Sequence, residues 1–295
     1  MNQTGSPHTP PEQPEVFAAR EAGGSLRDDL RAMRVVWRRE LIRFTRNRTR
    51  MITALAQPIL FLFVLGTGLA PIAPSAGGNI DFRTFMFPGV LAMVVLFTSI
   101  FSAVSIVWDR EFGFLREMMV APVRRSALIV GKVLGGSTVA TIQGTIMLGL
   151  AGLVGIPYSP PLLLVLVLEM ALGAFVLTSF GVMLASRMSQ VESFQMVMQF
   201  FLLPMFFLSG ALFPLTQLPQ WLNVLTKINP LSYVVDPMRR AVFAHVDAPA
   251  ELVQALNPGM SWGGWLVPVW LEFGALVVLG GIMLTVAVVQ FSKQE

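Results

Sequence analysis

Charged side chains are scarce in this chain, 13% of residues against 54% hydrophobic. The few that fall in or beside apolar runs are therefore the first candidates for chemistry. Three acids do so: Glu169, Glu192 and Glu272. A charge inside a bilayer-length run is costly and marks a functional hypothesis by default. Glu169 and Glu272 lie one to two turns inside the ends of their runs. Either they pair with residues such as Arg239 or Arg240, or they form with Asp236 and Arg239 a polar path, a gate or a seat for a cationic substrate. Glu192 stands five residues from Arg187, a poor spacing for a helical pair. A second candidate set is apolar: Met198, Phe201, Met205, Phe206 and Phe207 surround Pro204, and Met with Phe makes an adaptable binding surface or plain packing. A third is the stretch Trp108–Lys132, which gathers Asp109, Arg110, Glu111, Arg116, Glu117, Arg124 and Arg125 between two apolar runs.

Enzymatic chemistry has little to work with. There is no cysteine, so a catalytic thiol and a thiolate metal site are excluded. The two histidines, His8 and His245, lie outside the apolar runs, and no His-Glu-x-x-His motif is present. Gly131-Lys132 is not a nucleotide loop, because Val133 follows it and Ser126 stands where the first glycine of a phosphate-binding loop belongs. Any work this chain does must draw energy from a partner or from an ion gradient.

The elements that carry these residues are membrane spans. A span needs about 20 apolar residues, and six runs qualify: about 51–70, 85–107, 127–154, 162–185, 193–213 and 268–291. Residues 1–24, rich in Pro, Gly and polar side chains, predict a disordered tail. Residues 25–50 predict an amphipathic helix in the membrane interface, with Leu30, Met33, Trp37, Leu41 and Phe44 on one face and Arg on most of the rest. Ser25 is placed to cap it, and Asp28 and Asp29 suit its first turn. Nine arginines lie between Arg27 and Arg50. Beside a first span they fit anionic headgroups better than nucleic acid. The bias of Lys and Arg places both termini, the second-to-third connector and the stub 292–295 in the cytoplasm. Glycines along the third run, including Gly131, Gly135, Gly136 and Gly144, predict close helix approach. Residues 216–243 predict two short outer helices broken at Asn229-Pro230. Trp262, Trp265 and Trp270 predict an aromatic belt.

Two motifs then resemble a known family. Glu111, Gly113, Leu115, Ala121-Pro122-Val123 and Gly131-Lys132 form one. The run Phe207–Phe243, with Ser-Gly, Phe-Pro, Leu-Pro, Asn-Pro-Leu, Asp and Arg in order, forms the other. Over residues 25–291 the chain is similar to the type-2 permeases of ATP-binding-cassette (ABC) transporters, most of all the daunorubicin-resistance-type drug exporters and the related nodulation permeases. The resemblance implies an all-α polytopic fold: six spans, a cytoplasmic amphipathic first helix and short re-entrant outer helices. It implies a coupling helix at about 109–122, with Glu111, Phe114, Leu115, Arg116, Glu117 and Pro122 meeting a separate ATPase. It implies a homodimer with two ATPase copies in a bacterial plasma membrane, ATP and Mg bound by the partner and no cofactor on this chain. The function implied is export of an amphipathic drug-like or lipid-like molecule. Export of a polysaccharide or glycolipid is the first alternative, although only two tyrosines argue against sugar stacking. An ion-driven carrier is the other.

Overall fold

A computed structural model of the protein describes residues 26–70, 81–113, 124–215, 218–246, 249, 253, 256, 259–262 and 264–293. Nine helices form the described fold: α1 (Leu26–Arg46), α2 (Arg48–Leu60), α3 (Phe82–Glu111), α4 (Arg125–Leu148), α5 (Pro160–Ala185), α6 (Val191–Phe207), α7 (Gln220–Ile228), α8 (Ser232–Phe243) and α9 (Val269–Ser292). A wide π turn, Phe61–Leu65, extends α2 three residues beyond Pro58, followed by a last turn at Gly66–Gly68. A two-residue hairpin, β1 (Ser261–Trp262) with β2 (Trp265–Leu266), precedes α9.

Five segments are long and apolar enough to cross a membrane: Met51–Gly68, α3, α4, α5 and α9. The expected fifth span is a shorter apolar helix. α6 has 17 residues, about 25 Å at 1.5 Å per residue, against about 30 Å of hydrocarbon. The apolar run to Phe213 does not stay helical, because Gly210 takes a positive φ of 77°. Residues 208–215 fold as turns instead.

α3 is the axis of the bundle. It touches α2, α4, α5, α6 and α8, and 78% of its most apolar window is buried, against 17% for the first span and 22% for α9. The centre therefore belongs to α3 and α4, and the first and last spans form the rim. Glycine sets the spacing. A Cβ on Gly89 would lie 2.6 Å from Ala211 Cα, and one on Gly135 would lie 2.8 Å from Glu40 Cβ. Those contacts seat the turn after α6 on α3, and α1 on α4.

α1 departs from the expected surface helix. Its buried residues are Asp29, Val36 and Glu40, whereas Leu30 is exposed. The packed face is thus rotated from the apolar stripe, toward two carboxylates. Length supplies the reason. α3 spans about 45 Å for its 30 residues, longer than the hydrocarbon layer, so one end projects beyond the membrane. α1 packs along the matching end of α4, where polar partners are available. Asp28 and Asp29 do occupy its first turn.

The second span also runs further than expected. α3 stays helical through Asp109, Arg110 and Glu111, and Gly113, at φ 79°, ends it. Those three residues therefore close the span rather than open a separate coupling helix. The remainder of that expected helix, with Phe114, Leu115, Arg116, Glu117 and Pro122, lies outside the described residues. So do Ser25 and the expected tail.

Candidate functional site: a charged junction, a clamp and a carboxylate cluster

The end of the bundle that holds the connector between α3 and α4 carries a buried ion network. Lys132, on α4, has only 7% of its side chain exposed, and its Nζ contacts Asp109 Oδ2 on α3 and lies 3.4 Å from Glu40 Oε1 on α1. Ser105 Oγ accepts from the same Nζ at 3.0 Å. Arg39 adds a second cation, 2.9 Å from Asp109 Oδ2. Two acids and two bases from three helices balance in charge. A lone ion taken out of water costs several kcal/mol, so each needs the others. Trp37 Nε1 donates to Thr138 Oγ1 at 3.1 Å and fixes the rotation of α1 on α4. Asp29 accepts from the Arg124 backbone N–H at 3.3 Å, tying the start of α1 to the residue before α4.

Beside the network, the last turn of α3 grips the turn between α5 and α6. Arg110 Nη1 donates to Ser186 O at 2.9 Å and to Met188 O at 2.8 Å. Glu111 Oε2 accepts from Val191 N, the first residue of α6, at 2.8 Å. A carboxylate at a helix N-terminus meets both unpaired N–H groups and the positive end of the dipole. Glu111 is exposed, but this oxygen is engaged within the chain. No Arg187–Glu192 ion pair forms among the described residues.

At the far end, the expected polar group is drawn together in part. Arg240 Nη2 contacts Asp236 Oδ2 and lies 3.1 Å from Glu272 Oε1. Arg239, expected in this group, turns away. It donates to the carbonyls of Gly210 and Ala211, and its guanidinium lies 4.3 Å from the Phe85 ring centre. Burial lowers the Arg239 guanidinium to about 10 and nearby Asp236 raises it, so it stays cationic at neutral pH. Glu169 is 95% buried, and its Oε2 has no hydrogen-bond partner. Asn229, at the break between α7 and α8, binds Met205 O through Nδ2 and Leu231 N through Oδ1. That explains why Asn-Pro separates the two short helices.

The expected apolar path does not form one surface. Met198, Met205 and Phe206 are core residues, Phe201 is half-buried and Phe207 is 47% exposed. Helical rotation splits them, since residues 198, 205 and 206 share one face of α6 and 207 the other. A large cavity lies elsewhere, between α1, α2, α3 and α4.

The sequence profile of the family described as ABC-2 type transporter matches residues 31–243. That range holds the junction, the clamp and both short far-end helices. The chain belongs to the ABC-2 type transporter family. Among relatives of this ABC-2 permease, a protein of Cyanophora paradoxa named as a transport permease, ycf38, is 30% identical over 209 residues, 70% of this chain and 72% of its own. A protein of Escherichia coli strain K12 named as a multidrug ABC transporter permease, YbhR, is 30% identical over 160 residues, 54% of this chain and 43% of its own. Nodulation protein J of Rhizobium leguminosarum bv. trifolii is 26% identical over 214 residues, 71% of this chain and 80% of its own. The ABC-2 permease is thus a polytopic all-α membrane protein of a family that works with an ABC ATPase.

Sequence reasoning missed the junction. It applied the cost of buried charge to Glu169 and Glu272 but not to Lys132, the one lysine inside the third run. The same rule would have found it. Glu40 and Asp109 carried no such signal, because each sits among charged neighbours in the sequence.

Proposed function

We propose that this permease is the membrane subunit of an ATP-driven exporter for an amphipathic drug-like or lipid-like molecule. The connector end faces the cytoplasm, two copies of the chain pair, and each meets one separate ATPase that binds ATP and Mg. The relative YbhR, named as a multidrug ABC transporter permease, supports a drug-like cargo. The observation that carries the reading is the Arg110–Glu111 clamp. It joins the residues next to the connector directly to the start of α6. A push on the connector by a soluble partner then moves the start of α6 together with the end of α3, because three hydrogen bonds to charged groups resist separation at about 1.5–3 kcal/mol each. The ion network holds α1 in the same moving unit.

The test is gentle affinity purification of the tagged chain from native membranes, followed by mass spectrometry. An ABC ATPase recovered at about one copy per chain is the expected result. Recovery of the chain alone, in a detergent that preserves another ABC complex, would overturn it. One observation favours a second reading. The unpartnered Glu169 oxygen beside Asp236 and Glu272 suits an ion-driven carrier. Transport that survives ATP depletion and collapses with the proton gradient would select that reading.

A further inference from the structure

The cavity between α1, α2, α3 and α4 has a volume of about 300 Å³. It follows one face of α3 from Met93 through Phe97, Phe101 and Val104 to Trp108, about 22 Å along the helix. It is therefore long and narrow. Its polarity changes along that length. Glu40 and Arg43 of α1, and Asn47 just after it, line one end with Ser105 and Trp108, near the projecting connector end. Met93, Phe97 and Pro58 line the other, deeper among the spans. Thr53, Ala54 and Gln57 of α2 line the cavity and are exposed, so it opens sideways toward the membrane.

Charge and shape point to a ligand. Arg43 lies 4.9 Å above the Trp108 ring, and among the described residues no carboxylate pairs with it. The neighbouring network is already balanced, so the polar end keeps a net positive charge, and the narrow half beyond it is lined mainly by apolar side chains.

We propose that this cavity is a binding site for one acidic phospholipid drawn from the leaflet at the connector end. Its phosphate sits on Arg43, and one acyl chain lies along α3 toward Met93. Basic pockets between helices suit acidic headgroups, and the narrow apolar half suits a single chain. The lipid binds there whichever cargo the transporter moves, and the test reads binding rather than transport.

The experiment is native mass spectrometry of the purified full chain, titrated with phosphatidylglycerol, phosphatidic acid or phosphatidylcholine of matched chains. Phosphatidylglycerol binds about ten-fold more tightly than phosphatidylcholine, the size of one charge-assisted contact. Arg43→Gln removes that preference. So does Ala54→Trp, a change at an exposed position that plugs the opening and spares the core. Phosphatidic acid, which shares the phosphate, also binds more tightly than phosphatidylcholine. Equal binding of phosphatidylglycerol and phosphatidylcholine by the wild type, or a preference that survives either Arg43→Gln or Ala54→Trp, overturns the site.

Discussion

At the scale of single residues, Lys132 is the side chain on which most depends. It is the one base that contacts both Asp109 and Glu40 while nearly enclosed. Lys132→Met leaves two acids with the half-exposed Arg39 alone, and breaking a buried pair by removing one partner costs about 3–5 kcal/mol. A marked fall in the thermal unfolding midpoint in detergent is the expected outcome. Adding Asp109→Leu should recover part of the loss, because one stranded charge goes with it. A Lys132→Met chain as stable as the wild type would mean that water, not protein, balances these acids. The residue scale is also where sequence reasoning was least complete. Arg240 as the counter-ion of Glu272 was legible as one option of two, since both arginines follow Asp236 closely. Only rotation about α8 decides between them. Arg239 falls on the face that meets the backbone carbonyls of Gly210 and Ala211, a surface that no linear pattern encodes.

At the scale of elements, most of the fold was legible because apolar run length and Gly or Pro punctuation speak directly to it. The runs, the Asn229-Pro230 break and the polytopic all-α class all follow from the sequence. What failed was rotation and extent. The stripe on α1 misled because a helix packed on a projecting span end can bury carboxylates when partners wait there. The fifth run misled because hydropathy continues through Leu208–Phe213 although Gly210 stops the helix. The clamp was hidden for a related reason: Arg110 and Glu111 read as connector charges, and their partners are mainly backbone groups 76 to 80 residues away. Its consequence is mechanical. Glu111→Gln keeps its side-chain shape, Arg110→Gln shortens its own, and together they remove both charges and weaken all three bonds. If the ATPase copurifies, as proposed, this double variant retains it and continues to hydrolyse ATP. Transport falls at least about ten-fold, a modest share of three such bonds. ATP hydrolysis measured beside cargo movement in proteoliposomes separates the outcomes. A parallel fall in both would assign the clamp to assembly instead of transmission.

At the scale of the whole molecule, the question is what covers α6. This helix is too short to match the bilayer, and irregular backbone follows it at Leu208–Leu215. Non-helical backbone at membrane depth is tolerated where protein or a water-filled path surrounds it, not where lipid does. Yet Met196, Phe200, Leu203 and Phe207, at spacings of four, three and four, are 68%, 73%, 45% and 47% exposed. That stripe is one face of one helix. α9 also exposes apolar residues, including Val278 at 62%, but it is a full 24-residue helix whose length suits lipid. The two rims therefore differ, and α6 is the one that the proposed second copy would cover. The absence of native cysteine makes the test direct. Single-cysteine chains carrying Phe200→Cys or Val278→Cys are oxidised in membranes and run without reductant. A disulfide requires Cα atoms within about 7 Å, so Phe200→Cys should give a dimer band and Val278→Cys should not. Phe200 near the two-fold axis would then put α6 at the seam, the helix that the clamp ties to the connector. A push on two connectors would arrive at the line where the two copies part. Crosslinking through Val278 alone would move the seam to α9 and leave α6 without the cover its backbone needs, which would break this chain of argument at its first step.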